Sequence, residues 1–119
     1  MDPELRRLFG RLVAGIVLTD DHLDPREERF LGRLFDRLGI GPGERALLQP
    51  AVDGEDAART IRELPASLRD EALATLIEAA SVDDRLADEE RHYLEVVAAA
   101  MGLDEDELER RIALQFTAN

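Results

Sequence analysis

An all-α fold, a single-domain bundle of about seven helices, is what this sequence predicts, and three observations predict it. Leu and Ala dominate an apolar fraction of 45%, while aromatics supply only 4%; strands would want more Val, Ile, Thr and Tyr. Apolar residues recur at spacings of three and four, and no segment alternates convincingly with period two. Helix punctuation is dense, with Asp-Pro pairs at 2–3 and 24–25, Gly at 39 and 102, and Pro at 42, 50 and 65.

The first helix runs from about Pro3 to Leu18. Asp2 is its cap, and Pro3 sits at the first helical position, where a missing N–H costs nothing. Its stripe is Leu5, Leu8, Phe9, Leu12, Val13 and Ile16. After "TDDHL" a second helix starts at Pro25, with Asp24 as cap and Glu27 completing a capping box. Phe30, Leu31, Leu34, Phe35 and Leu38 form its inner face, and Gly39 ends it where positive φ is wanted. "GPGERALLQP" is a short third helix, and "DGEDAARTIREL", capped near Asp53, gives a fourth at about 54–63. A fifth runs from about Ser67 to Ala80 with Leu68, Leu73, Leu76 and Ile77 inward. The sixth, roughly Asp88 to Met101, turns Tyr93, Leu94, Val97 and Met101 to one side and ends at Gly102. Asp104 and Glu107 make another capping-box pattern and open the seventh, through Leu108, Ile112 and Phe116.

An internal repeat orders these helices. A shift of 63 positions aligns Asp20 with Asp83, Asp21 with Asp84, Leu23 with Leu86 and Glu27 with Glu90. It also pairs Phe30 with Tyr93, Leu31 with Leu94, Gly39 with Gly102 and Glu44 with Glu107. The matches fall at loop, cap and core positions, where a shared backbone would enforce them. The expectation is two similar helix–loop–helix units, about 3–49 and 67–116, joined by a connector helix at about 54–63.

The formal charge is −12, from 27 acids against 15 bases, all of them Arg. Such a surface repels phosphate backbones, so nucleic acid is not an expected partner, and an anionic leaflet repels it too. It suits a cation, a basic partner or simple solubility. No Cys is present, which excludes disulfides, thiolate metal sites and Cys nucleophiles. No stretch reads as a signal peptide or approaches the roughly 20 apolar residues of a membrane span, so a cytoplasmic protein without direct membrane insertion is expected.

"GIVLTDDHLDPREERFLGRLFDRLGIGPGE" and "EAASVDDRLADEERHYLEVVAAAMGLDEDE" together resemble the tellurite-resistance TerB family over nearly the whole chain. That family's signature is an Ala-rich helix end, then Ala-Asp-Gly, a variable residue, an aliphatic residue and polar residues before Glu. A helix follows and ends in a Leu-Gly-Leu-type turn. Two features depart from the pattern. The family's Gly is Asp21 in the first copy and Asp84 in the second, and Asp tolerates positive φ better than most. Ala87 stands where a small polar cap is expected, leaving Asp84 or Asp88 to cap instead. The resemblance implies a small cytoplasmic module without enzymatic activity, associated with tellurite resistance and stress response. Similar domains occur in larger proteins, including a DnaJ-type co-chaperone. It further implies acidic residues that bind divalent metal and contact membrane-associated protein partners.

The acidic loops themselves admit two readings. Hard cations such as Ca²⁺ take oxygen ligands, and the candidates are Asp20, Asp21, Asp24 and Glu27 with Asp83, Asp84, Asp88 and Glu90. Two loops meeting about a pseudo-twofold axis would share one ion, although neither has the spacing of an EF-hand. Equally, carboxylates at helix N-termini satisfy exposed N–H groups and the positive end of the dipole, at about 1 kcal/mol per cap. Asp20 and Asp83 are the strongest ligand candidates, because they precede the helices they would otherwise cap by several residues. His22 lies beside the first acidic pair and reads as an exposed loop residue, as His92 does on its helix. The "DEDELER" run at 104–110 reads as a solvated helix start, and "VVAAAMG" as close helix packing. No Ser–His–Asp order, HExxH, glycine-rich phosphate loop or CxxC is present, so no catalytic constellation is visible. Two functions therefore compete: an interaction module with a divalent cation, and a metal-independent scaffold or co-chaperone-like domain that binds a partner peptide. The second predicts an exposed apolar patch in place of convergent carboxylates.

Overall fold

The residues described in the computed structural model are 2–19, 24–82 and 86–118, with side chains through Phe116. Among them there are seven helices and no strand: α1 Pro3–Leu18, α2 Pro25–Leu38, α3 Pro42–Leu47, α4 Gly54–Glu63, α5 Ala66–Ala80, α6 Asp88–Ala100 and α7 Glu105–Ala118. The Cα radius of gyration is 13.1 Å, against about 13.5 Å for a compact domain of this length. One hydrophobic cluster draws side chains from α1, α2, α4, α5, α6 and α7. No helix among the described residues is long and apolar enough to cross a membrane.

Local chemistry sets the helix ends where the sequence places them. Asp2, Asp24 and Asp53 each accept a hydrogen bond at 2.7 Å from the backbone N–H two residues on. Gly39 and Gly102 take φ of 75° and 83°. The turn after each repeats one pattern: Ile40 N–H donates to Phe35 O at 2.9 Å, and Leu103 N–H to Ala98 O at 2.9 Å. These bonds satisfy carbonyls that a helix C-terminus otherwise leaves open. Arginines from other helices do the same elsewhere. Arg6 donates to Leu38 O and Gly39 O, and Arg69 to Leu64 O and Arg62 O.

One capping expectation is corrected. Asp104 does accept from Glu107 N–H, at 2.9 Å, but the reciprocal half of the box is absent among the described residues. Glu107 instead takes the guanidiniums of Arg110 and Arg111, since a charged donor outcompetes a neutral amide for a carboxylate.

α1 is buried on more than its expected stripe. Gly10, Ala14, Gly15 and Val17 are covered as well, because α2, α4, α5 and α6 all pack around it. Gly15 permits the closest approach. A Cβ there would lie 2.3 Å from Ala51 O and 2.6 Å from Tyr93 Oη, so any side chain would collide with both.

α4 is more than a connector. Ala57 and Ile61, with Leu64 just beyond its end, are fully buried against α6 and α1. Arg11 fastens it from the α1 side, donating to Asp56 Oδ2 at 2.6 Å, to Thr60 Oγ1 at 3.2 Å and to Gln49 O at 2.7 Å. The third and seventh helices differ in kind. α3 has six residues, none buried, and leaves Leu47 83% exposed. α7 has 14 residues and buries Leu108 and Ile112.

Candidate functional site

The two acidic segments separate α1 from α2 and α5 from α6, helices that pack against each other in each pair. Of the eight candidate ligands, Asp20, Asp21, Asp83 and Asp84 lie outside the described residues, as does His22. The other four are placed. Asp24 caps α2 and also faces Arg26 Nε at 3.3 Å. Glu27 is 4% exposed and accepts from Asp24 N–H at 3.1 Å. Glu90, 3% exposed, does the same for Ala87 N–H at 3.0 Å. Asp88 is exposed in the first turn of α6.

A buried carboxylate is costly unless hydrogen-bonded, and a glutamate three residues into a helix finds its partner in the N–H of the cap residue. Ala87 carries no side-chain acceptor, so among the described residues the box at α6 keeps only this returning bond. Among the described residues no group of three His, Asp or Glu side chains is gathered to hold a metal ion.

The described surface offers a different feature, a groove of about 420 Å³ between α2 and α5. Phe30 and Leu34 form its floor, Arg33, Asp36 and Arg37 its α2 wall, and Glu78 its α5 wall. Arg29 continues the wall one turn toward the N-terminus of α2, so that residues 29, 33 and 37 form a stripe at helical spacing. All three are exposed, and among the described residues none makes a hydrogen bond or ion pair. Among the described arginines, Arg62 on α4 is the other of which this is true. In a chain of net charge −12, three unpaired cations on one helix face are conspicuous. The i, i+4, i+8 spacing in "PREERFLGRLFDRL" is the sequence signal for them.

A second polar group emerges only from the fold. Tyr93 Oη, buried, lies 2.6 Å from Ala51 O and 3.1 Å from Leu12 O, and donates its one proton between them. Burial raises the Tyr93 pKa far above the ordinary tyrosine value of 10.0; the negative charge of Asp56 adds to the rise, and Arg11 partly offsets it. A neutral donor locked between two carbonyls is a structural tie, joining α6 to α1 and to the segment before α4.

A second groove of about 220 Å³, between α5 and α7, is lined by Ala74, Ile77, Arg111, Leu114 and Gln115. Its one cation is engaged, Arg111 being paired with Glu107 and Asp70.

Comparison with family models, with curated proteins and with solved structures finds no match in any of the three.

Proposed function

We propose that the chain is a non-enzymatic, TerB-like helical module that binds a protein partner, and that the face it uses is the groove between α2 and α5. The observation that carries this reading is the combination of Phe30 and Leu34 at the floor with Arg29, Arg33 and Arg37 unpaired along the rim. Unpaired cations beside a concave, partly apolar strip give a partner both area and orientation.

The TerB-like part rests on the two loop-and-cap motifs of the sequence. Their matching hydrogen bonds support a duplicated hairpin: Glu27 to the α2 cap and Glu90 to the α6 cap, and the turns closed at Gly39 and Gly102. A cytoplasmic, stress-related role is part of the same reading, supported by the resemblance and by a cysteine-free composition.

Within this reading a metal-independent interaction is favoured, because Asp24, Glu27 and Glu90 spend carboxylate oxygens on caps. A divalent cation would have to be held chiefly by Asp20, Asp21, Asp83 and Asp84. Calcium titration by calorimetry, with the Asp20→Asn/Asp83→Asn variant as control, decides that part: absent heat, or heat unchanged in the variant, removes the ion.

The interaction itself is tested with a photo-crosslinking residue at position 33, and another at position 109 on α7. In living source cells the first is expected to give one discrete adduct that disappears in Arg29→Glu/Arg37→Glu. Equal adducts from both positions would sink the assignment of the face.

A further inference from the structure

The chemistry of the partner follows from a comparison of the two halves of the molecule, and it rests on the reading of the α2–α5 groove as the binding face. Moving 63 positions along the chain carries Phe30, Arg33, Leu34 and Arg37 onto Tyr93, Val96, Val97 and Ala100, while Glu78 corresponds to Gly15. Those second positions lie on α6 and α1, and the cleft they form is filled by α4, which packs along both helices. A Cβ on Gly54 of α4 would rest 3.6 Å from both methyls of Val96, and Tyr93 Oη lies close to Gly15. On the α2–α5 side the corresponding cleft holds no helix among the described residues.

We infer that this cleft receives a helix from a partner protein, an amphipathic one whose inward stripe is small and whose flank is acidic. Three features set those properties. α4 fills the cleft of the corresponding pair, α6 and α1, entering with Ala57, Thr60 and Ile61. The floor presents little apolar surface, with Phe30 7% and Leu34 3% exposed, so a large apolar side chain gains little there and a partner rests on the aliphatic stems of the arginines. Where α6 offers Val96 to α4, the corresponding position on α2 is Arg33, with Arg37 one turn on, and these call for carboxylates on the incoming helix.

A polyphosphate is a poorer occupant. Asp36 and Glu78 interrupt the cationic strip within the groove itself, and the net charge of −12 opposes any extended polyanion. A short acidic helix places its charges only where the arginines are.

The probe is an end-blocked, stapled peptide of residues 53–64 carrying Arg59→Glu and Arg62→Glu, titrated into the isotope-labelled full chain. Its counterpart keeps both arginines and carries Glu55→Arg, Asp56→Arg and Glu63→Arg. The acidic peptide is expected to move amide resonances of residues 29–37 and of the α5 segment around Glu78. Arg33→Glu/Arg37→Glu, two exposed positions whose fold is checked by thermal melting, is expected to weaken it about tenfold, and added salt to weaken it further. Equal or tighter binding of the basic peptide in the same groove overturns the acidic chemistry and leaves the groove as a binding face. If neither peptide shifts these resonances at millimolar concentration, the groove reading falls with it. Two results reassign the occupant and overturn the proposal: sedimentation showing a dimer that Arg33→Glu/Arg37→Glu disrupts, and arginine-dependent binding to phosphatidylserine vesicles.

Discussion

Tyr93 shows how far a single residue can be read. Helical spacing places it inward, and the shift by 63 pairs it with Phe30, so its burial was legible. Its hydroxyl bonds were not, because the accepting carbonyls belong to residues 81 and 42 positions away. Those distances are created by the fold. The consequence can be measured cleanly, for the chain has one tyrosine, no cysteine and no lysine. The unfolded tyrosine releases its proton near 10.0, whereas the folded one holds it to much higher pH. Above pH 10 the unfolded chain therefore binds fewer protons than the folded one, and stability falls as pH rises. The contribution is complete below that pH and declines above it by at most about 1.4 kcal/mol per pH unit. Urea unfolding followed against pH should show this fall in the wild type, and Tyr93→Phe should remove it. That variant should also lose about 1–3 kcal/mol at neutral pH, since Ala51 O and Leu12 O are left without their donor.

Among the elements, ends were more legible than partners. Asp2, Asp24, Asp53, Gly39 and Gly102 act through neighbours a few residues away, and the sequence contains those neighbours. The depth of α4 was hidden, because its short polar-rich sequence buries only a narrow stripe and its place depends on Arg11 and α6. Asp104 was legible and the orientation of Glu107 was not, since Arg110 and Arg111 compete for it. Two measurements follow from the ends. Both Gly39 and Gly102 sit at positive φ, yet a Cβ at Gly102 meets nothing within 4 Å, while one at Gly39 would lie 2.7 Å from Arg6 Nη1. Gly102→Ala is expected to cost about 1–2 kcal/mol through the backbone alone, and Gly39→Ala measurably more, by denaturant midpoints at unchanged slope. At α6 the cap residue Ala87 already has the extended backbone of a helix cap, φ −69° and ψ 154°. Ala87→Ser should therefore add the missing acceptor and raise stability by about 0.5–1 kcal/mol; a lower melting temperature would refute this account of the turn.

At the scale of the whole molecule, charge is the dominant unspent term. The arginine–carboxylate pairs among the described residues are mostly exposed, and such pairs are individually weak. A net charge of −12 leaves a larger repulsion that opposes compaction. Raising salt from about 0.05 to 0.5 M is expected to raise the melting temperature, because screening relieves that repulsion more than it weakens surface pairs. A fall in melting temperature would assign the greater weight to the pairs. The all-helical class and the order of seven elements were legible from periodicity and punctuation. The groove was not, because Arg33 and Arg37 of α2 meet Glu78 of α5 across it only through the fold.

The encirclement of α1 has a consequence for synthesis on the ribosome. This helix leaves the exit tunnel ahead of the helices that will cover it, and α5 and α6 follow only after α2, α3 and α4. Until then only α2 and α4 can cover it, its sides toward α5 and α6 stay open, and the nascent segment would be a client for holding factors. Ribosome-bound fragments that stop before α6 should remain sensitive to protease and become resistant, in one step, once residues through Ala100 have emerged.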